Sequence, residues 1–71
     1  MTTKRIDARG LSCPQPVVLV SQAIADGNTD LEIIVDNEVT RENVTRLATR
    51  RGLKTDAREE GADIVIRTAK A

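Results

Sequence analysis

The chain has 71 residues, of which 39% are hydrophobic, 31% are charged and none is aromatic. This length supports one small domain covering residues 1–71 and excludes a multi-domain enzyme. Eleven basic residues balance 11 acidic ones, which disfavours binding to nucleic acid or an anionic membrane through net charge. The absence of His and the single Cys exclude a Cys-His dyad, an internal disulfide and a Cys/His metal cage. We expect neither a metal nor a cofactor.

Six elements follow one another along the chain. Lys4–Asp7 is a short strand candidate, and the spacing of apolar residues predicts a helix over Pro14–Ala25. Leu31–Asp36 alternates in the manner of a half-buried strand. We expect Thr40 to cap a second helix that ends at Gly52. The last two strands, Lys54–Arg58 and Asp63–Thr68, flank a turn at residues 59–62.

The strands carry one apolar face each, which predicts that both helices cover the same side of the sheet. Strands one and two should be parallel and joined by a right-handed crossover, and the last two should form an antiparallel hairpin. The fold class is therefore α+β: a two-layer α/β sandwich in βαβαββ order with a mixed four-stranded sheet. The other sheet face, with Ile34 and Val65 as its large apolar members, is expected to be wet or to bind a partner.

Cys13 is the one residue that brings nucleophilic chemistry to this chain. It directly precedes the first predicted helix, where Pro14 fits the first helical position and Pro16 the third. We expect these prolines to stiffen the turn and to leave the amides of Gln15 and Val17 free to point toward the thiol. The positive end of the helix dipole and Arg9 should favour the thiolate. A small buried hydrophobe is the alternative role of a lone cysteine.

Residues 7–16, DARGLSCPQP, contain a Cys-Pro-X-Pro signature after Asp-X-X-Gly-Leu. This segment resembles the motif of the small sulfur-carrier family of TusA and SirA. The resemblance extends over essentially the whole chain. Residues 35–38 and 41–44 are most similar to the N-terminal module of YedF-type proteins, which are linked by association to selenium metabolism.

The resemblance implies that Cys13 carries a persulfide. It implies a cysteine desulfurase or rhodanese-like donor, and a DsrE-like or other protein as sulfur acceptor. Gln15 departs from the glutamate often found between the two prolines. The other positions that match the family's motif are Asp7, Arg9, Gly10, Leu11, Pro14, Pro16 and Asp36.

Further expectations stand beside this one. A basic stretch is a solvated helix face or a docking patch for an acidic partner; it comprises Arg41, Arg46, Arg50, Arg51 and Lys54. Asp7 is a turn or strand-end carboxylate, or a hydrogen-bond acceptor near residues 8–13, which we call the cysteine loop. A non-catalytic regulatory module, an RNA- or protein-binding module and a selenium-handling protein remain alternatives, although missing aromatics disfavour RNA. The N-terminal residues lack an apolar run, and no stretch approaches a membrane span, which predicts a cytosolic protein.

Overall fold

The structure is a computed structural model that describes residues 3–71. It contains two helices and four strands: β1 (Lys4–Asp7), α1 (Gln15–Ala25), β2 (Leu31–Val35), α2 (Glu38–Arg50), β3 (Leu53–Glu60) and β4 (Asp63–Lys70). The strands form one sheet in the order β1-β2-β4-β3. β1 pairs with β2 in parallel, and β4 pairs antiparallel with both β2 and β3. The predicted βαβαββ order and mixed sheet are confirmed.

The core lies between the sheet and the two helices. Ile6, Ile33 and Ile66 stand side by side on three adjacent strands and are 8%, 0% and 0% exposed. Val20 of α1 and Val44 of α2 are fully buried in the same cluster. Both helices therefore pack on one face of the sheet, as the alternation of apolar residues predicts.

The helix starts differ from the predicted ones by a few residues. The N-cap of α1 is Pro14, so Pro16 is the second helical residue rather than the third. The N-cap of α2 is Asn37 and not Thr40: the Asn37 side chain accepts a hydrogen bond from the Thr40 amide at 2.8 Å. Asparagine and threonine both serve as caps. Periodicity alone did not distinguish them, because the residues between them are charged or exposed.

The hairpin is tighter than the sequence predicts. Glu60 pairs with Asp63, which leaves a two-residue loop of Gly61 and Ala62 instead of a turn over residues 59–62. Gly61 has φ +62°, a conformation that glycine adopts without a steric penalty. β2 ends one residue early, at Val35, because the backbone bends at Asp36.

The open face of the sheet is covered by charged side chains. Ile34 and Val65 pair across β2 and β4, yet each is only 5% exposed. Ion pairs lie on or beside this face: Arg5–Glu32 at 3.6 Å, Arg58–Glu60 at 2.7 Å and Arg67–Asp30 at 3.6 Å. Long charged side chains shield apolar surface with their methylene groups. The solvent side of this face is polar, and its two large apolar residues are too buried to form an exposed hydrophobic patch.

Candidate functional site

Cys13 is exposed and lies in the turn that leads into α1. The Gln15 amide donates to the Ser12 carbonyl at 2.8 Å, and the Val18 amide donates to the Pro14 carbonyl at 3.0 Å. The expectation that the Gln15 amide points freely toward the thiol is therefore wrong, because that amide closes the turn around Cys13. The turn itself is held by backbone hydrogen bonds on its helical side. The alternative of a buried, structural cysteine does not apply.

A shallow recess beside Cys13 is shared between the two helices. Pro14, Pro16 and Val17 of the α1 start line one side, and Thr40 and Asn43 of α2 line the other. The two helices begin at the same end of the sheet because each follows one of two parallel strands. Sequence reasoning missed Thr40 and Asn43 as neighbours of the thiol, although the parallel arrangement that it predicted already implies that the two helix starts are close.

Asp36 ties the loop before Cys13 to the end of β2. Its Oδ2 accepts a hydrogen bond from the Gly10 amide at 2.8 Å, and its Oδ1 accepts one from Asn37 Nδ2 at 3.0 Å. These bonds, first that from Gly10 and then that from Asn37, lower the pKa of Asp36 below its ordinary value. Gly10 has φ +75°, so its amide takes this direction in a conformation that disfavours other residues.

The Arg9 side chain binds two carboxylates, those of Asp7 and Asp63. Its Nε and Nη2 donate to the two oxygens of Asp7 at 2.9 and 2.8 Å, and its Nη1 donates to Asp63 Oδ2 at 2.9 Å. The hydrogen bonds from Arg9 lower the pKa of Asp7 to about 2, and both carboxylates raise the pKa of Arg9. The guanidinium is thus engaged by Asp7 and Asp63, whereas the sequence suggests a role beside the thiol. Asp7 is the last residue of β1 and accepts hydrogen bonds from Arg9, so it has both of the roles predicted for it.

An apolar depression adjoins the Cys13 turn along α1. Leu11, Pro14, Gln15, Val18 and Leu19 line it. Val18 and Leu19 are 45% and 38% exposed, and Val39 in the first turn of α2 is 66% exposed. Sequence reasoning did not single out Val18 and Leu19, because α1 is apolar on more than the face that it buries. It did not single out Val39 because the second helix was expected to begin at Thr40. Exposed apolar side chains close to a functional group are a common feature of docking surfaces.

The basic stretch runs along α2 and away from Cys13. Arg41 pairs with Glu38 at 3.0 Å, and Arg46 with Glu42 at 3.6 Å. Arg50 is the last residue of α2, and Arg51 Nη2 donates to Ser21 Oγ at 3.2 Å. Ten residues of helix separate Thr40, which lines the Cys13 recess, from Arg50, or roughly 15 Å. The structure does not bring Arg50 and Arg51 to the thiol; Lys54 lies beyond them, in β3.

Residues 3–71 contain neither a metal-binding cluster nor a membrane-spanning helix. Within that range no three His, Cys, Asp or Glu side chains stand close enough to hold a metal ion. The described helices are also too short or too polar to cross a membrane.

Comparison with known proteins assigns the chain to a family. The family model described as sulfurtransferase TusA matches residues 4–70, which is nearly the whole chain and includes the Cys13 turn. The chain belongs to the TusA family. A crystal structure of a SirA-like protein from Desulfitobacterium hafniense superposes with a TM-score of 0.81 at 28% identity, covering 99% of this chain and 100% of that one. Proteins of the TusA family relay sulfur between partner proteins, which supports a general sulfur-carrier role and a sulfur-transfer partner here.

Proposed function

We propose that this protein is a persulfide carrier in which Cys13 holds the transferred sulfur. In the loading step, the Cys13 thiolate attacks the outer sulfur of a donor persulfide. The bond from Cys13 Sγ to that sulfur forms as the donor's S–S bond breaks, and the donor leaves as a thiolate. An acceptor thiolate then attacks the same outer sulfur, and Cys13 leaves as a thiolate. The two steps balance without an external oxidant or reductant.

The exposure of Cys13 at a helix start is the observation that carries this proposal. An attacking thiolate must reach a sulfur on another molecule, and an exposed turn allows that approach. The chain has one cysteine, so no second thiol of the same chain resolves the persulfide, and delivery has to be intermolecular. A reducing cytoplasm suits such an unpaired thiol.

The donor is expected to be a cysteine desulfurase or a rhodanese-like protein, and the acceptor a DsrE-like or other sulfur-binding protein. Arg46, Arg50 and Arg51 remain a predicted docking patch for an acidic partner. The apolar depression with Val18 and Leu19 is closer to the thiol.

Mass spectrometry tests the proposal. Incubation with a cysteine desulfurase and cysteine should add the mass of one sulfur atom to Cys13, and Cys13→Ser should take up none. Because Cys13 is exposed, Cys13→Ser should change the free energy of unfolding by less than about 0.5 kcal/mol. A second control, Ser12→Cys combined with Cys13→Ser, moves the thiol by one residue. Sulfur uptake by Cys13→Ser would contradict the proposal.

A selenium cargo is the second candidate, and the likeness of residues 35–38 and 41–44 to YedF-type modules favours it. Selenium would use the same thiol. Loading Cys13 in parallel from a protein persulfide (R–S–SH) and from its selenium analogue (R–S–SeH) separates the two cargoes by mass spectrometry. In both reactions the Cys13 thiolate attacks the outer atom and the donor leaves as a thiolate, so no oxidant is needed. If Cys13 accepts neither sulfur nor selenium, the remaining interpretation is a non-catalytic regulatory or binding module. Its contact surface would be the apolar depression on α1.

A further inference from the structure

A chain of three hydrogen bonds joins the loop before Cys13 to the first turn of α2. The Gly10 amide donates to Asp36 Oδ2 at 2.8 Å, and Asn37 Nδ2 donates to Asp36 Oδ1 at 3.0 Å. Asn37 Oδ1 then accepts from the Thr40 amide at 2.8 Å. Thr40 lines the same recess as Cys13. This series of hydrogen bonds therefore starts three residues before the thiol and ends at the opposite side of the recess.

The two ends of the cysteine loop are held by different means. On the helical side, the Gln15 amide bonds to the Ser12 carbonyl. On the strand side, the Ala8 amide donates to the Ile34 carbonyl at 2.9 Å, and beyond it the Gly10 amide bonds to Asp36. Leu11 packs against the core between Gly10 and the turn. Without Asp36, the backbone at Gly10 would lose a charge-assisted hydrogen bond, which is stronger than a neutral one.

We propose that Asp36 is a positioning residue for Cys13: it fixes the loop through the Gly10 amide, while Asn37 orients its carboxylate and caps α2. Asp36 touches no reacting atom. It holds the exposed thiol in the turn that leads into α1. A positioned nucleophile reacts faster than one on a mobile loop because less orientation is needed in the transition state. The consequence for sulfur transfer rests on the proposed function; the consequence for thiol reactivity does not.

The primary experiment measures thiol–disulfide exchange between Cys13 and an aromatic disulfide reagent at neutral pH, with the full chain. Asp36→Ala removes both contacts and should slow the exchange by at least about twofold. Asp36→Asn keeps an oxygen that can accept from the Gly10 amide and should recover part of the rate. Asn37→Ser keeps a good capping oxygen but loses the donor to Asp36, so its rate should fall between those of Asp36→Ala and the unchanged protein.

Hydrogen exchange of the Gly10 amide provides a second readout. Its protection should drop in Asp36→Ala and persist in Asp36→Asn. The matched control is Asn28→Ala, which removes the bond from Asn28 Nδ2 to the Ala23 carbonyl at 2.9 Å. This bond lies at the far end of α1, so Asn28→Ala should lower the melting temperature without changing the exchange rate of Cys13.

The outcomes separate positioning from general destabilisation. A graded loss of rate, with Asn28→Ala at the original rate, supports the proposal. An Asp36→Ala protein that is folded and reacts at the original rate overturns it, as does an equal slowing by Asn28→Ala. If Asp36→Ala does not fold, Asn37→Ser decides, because it retains the cap: an unchanged rate overturns the proposal. Because the exchange assay uses no sulfur donor, a failure of Cys13 to accept sulfur would contradict the proposed function and leave this test intact.

Discussion

Arg9 Nη1 donates a hydrogen bond to Asp63 Oδ2 at 2.9 Å and so joins the cysteine loop to the start of β4, 54 residues further along the chain. The side chain of Asp63 is 30% exposed and that of Arg9 46% exposed. The same guanidinium also binds Asp7. One arginine therefore connects the end of β1, on the edge of the sheet, with β4 in its interior, across the open face.

A double-mutant cycle with Arg9→Gln and Asp63→Asn should detect a coupling between the two side chains in urea unfolding. The coupling should be small and should weaken with added salt, because exposed ion pairs are screened. Asp63→Asn should also leave the thiol–disulfide exchange rate of Cys13 unchanged, because Arg9 is directed to the carboxylates. A slower exchange would indicate instead that Arg9 acts on the thiol.

Asp7→Asn should change the response of the protein to acid. Its folded-state pKa is lowered from 3.8 to about 2, first of all by the hydrogen bonds from Arg9. A group with a lowered folded-state pKa stabilises the fold above its ordinary pKa and loses that contribution as the pH falls through the folded value. Asp7→Asn should thus be less stable than the unchanged protein at pH 7, and the two should converge between pH 3.8 and about 2. Urea unfolding at several pH values measures this, and a gap that stays constant down to pH 2 would contradict it.

Thr68→Val should destabilise the fold by about 1–3 kcal/mol. Thr68 is 2% exposed; its hydroxyl accepts from the Leu31 amide at 3.1 Å and donates to the Thr29 carbonyl at 3.0 Å. Valine has a similar shape but leaves these two backbone groups without this partner. The control is Thr55→Val, because Thr55 pairs with Thr68 across β3 and β4. Equal losses of unfolding free energy in the two variants would show that the hydroxyl contacts of Thr68 are not responsible.

Charge reversal at Arg50 and Arg51 should slow transfer from a protein donor more than it slows alkylation of Cys13. The two arginines lie at the end of α2, roughly 15 Å of helix from the Cys13 recess, so they influence the thiol only through screened charge. A docking surface would respond through its encounter rate at low salt. Persulfide transfer at low and high salt, beside alkylation by a small reagent, tests this. Transfer equal to that of the unchanged protein at low salt would show that docking uses the apolar depression or the Cys13 turn.

Much of the architecture could be predicted from local patterns. Ile33 and Ile66 are apolar members of alternating strands, and alternation alone indicates which sheet face receives the helices. The first helix start was located to within one residue, because Pro14 and Pro16 restrict where a helix begins. The cap of α2 was not found, because Asn37 and Thr40 are both capping residues and only the backbone geometry selects one of them.

The sequence by itself determined the order of the elements, the family to which the chain belongs and the position of the one thiol at a helix start, because these depend on neighbours within a few residues. The partners of the site were decided only by the tertiary structure. Asp36 reaches Gly10 across 26 residues, and Arg9 reaches Asp63 across 54. Such contacts depend on strand order and register, and neither the placement of β4 beside β2 nor the direction of a charged side chain is encoded in a local pattern.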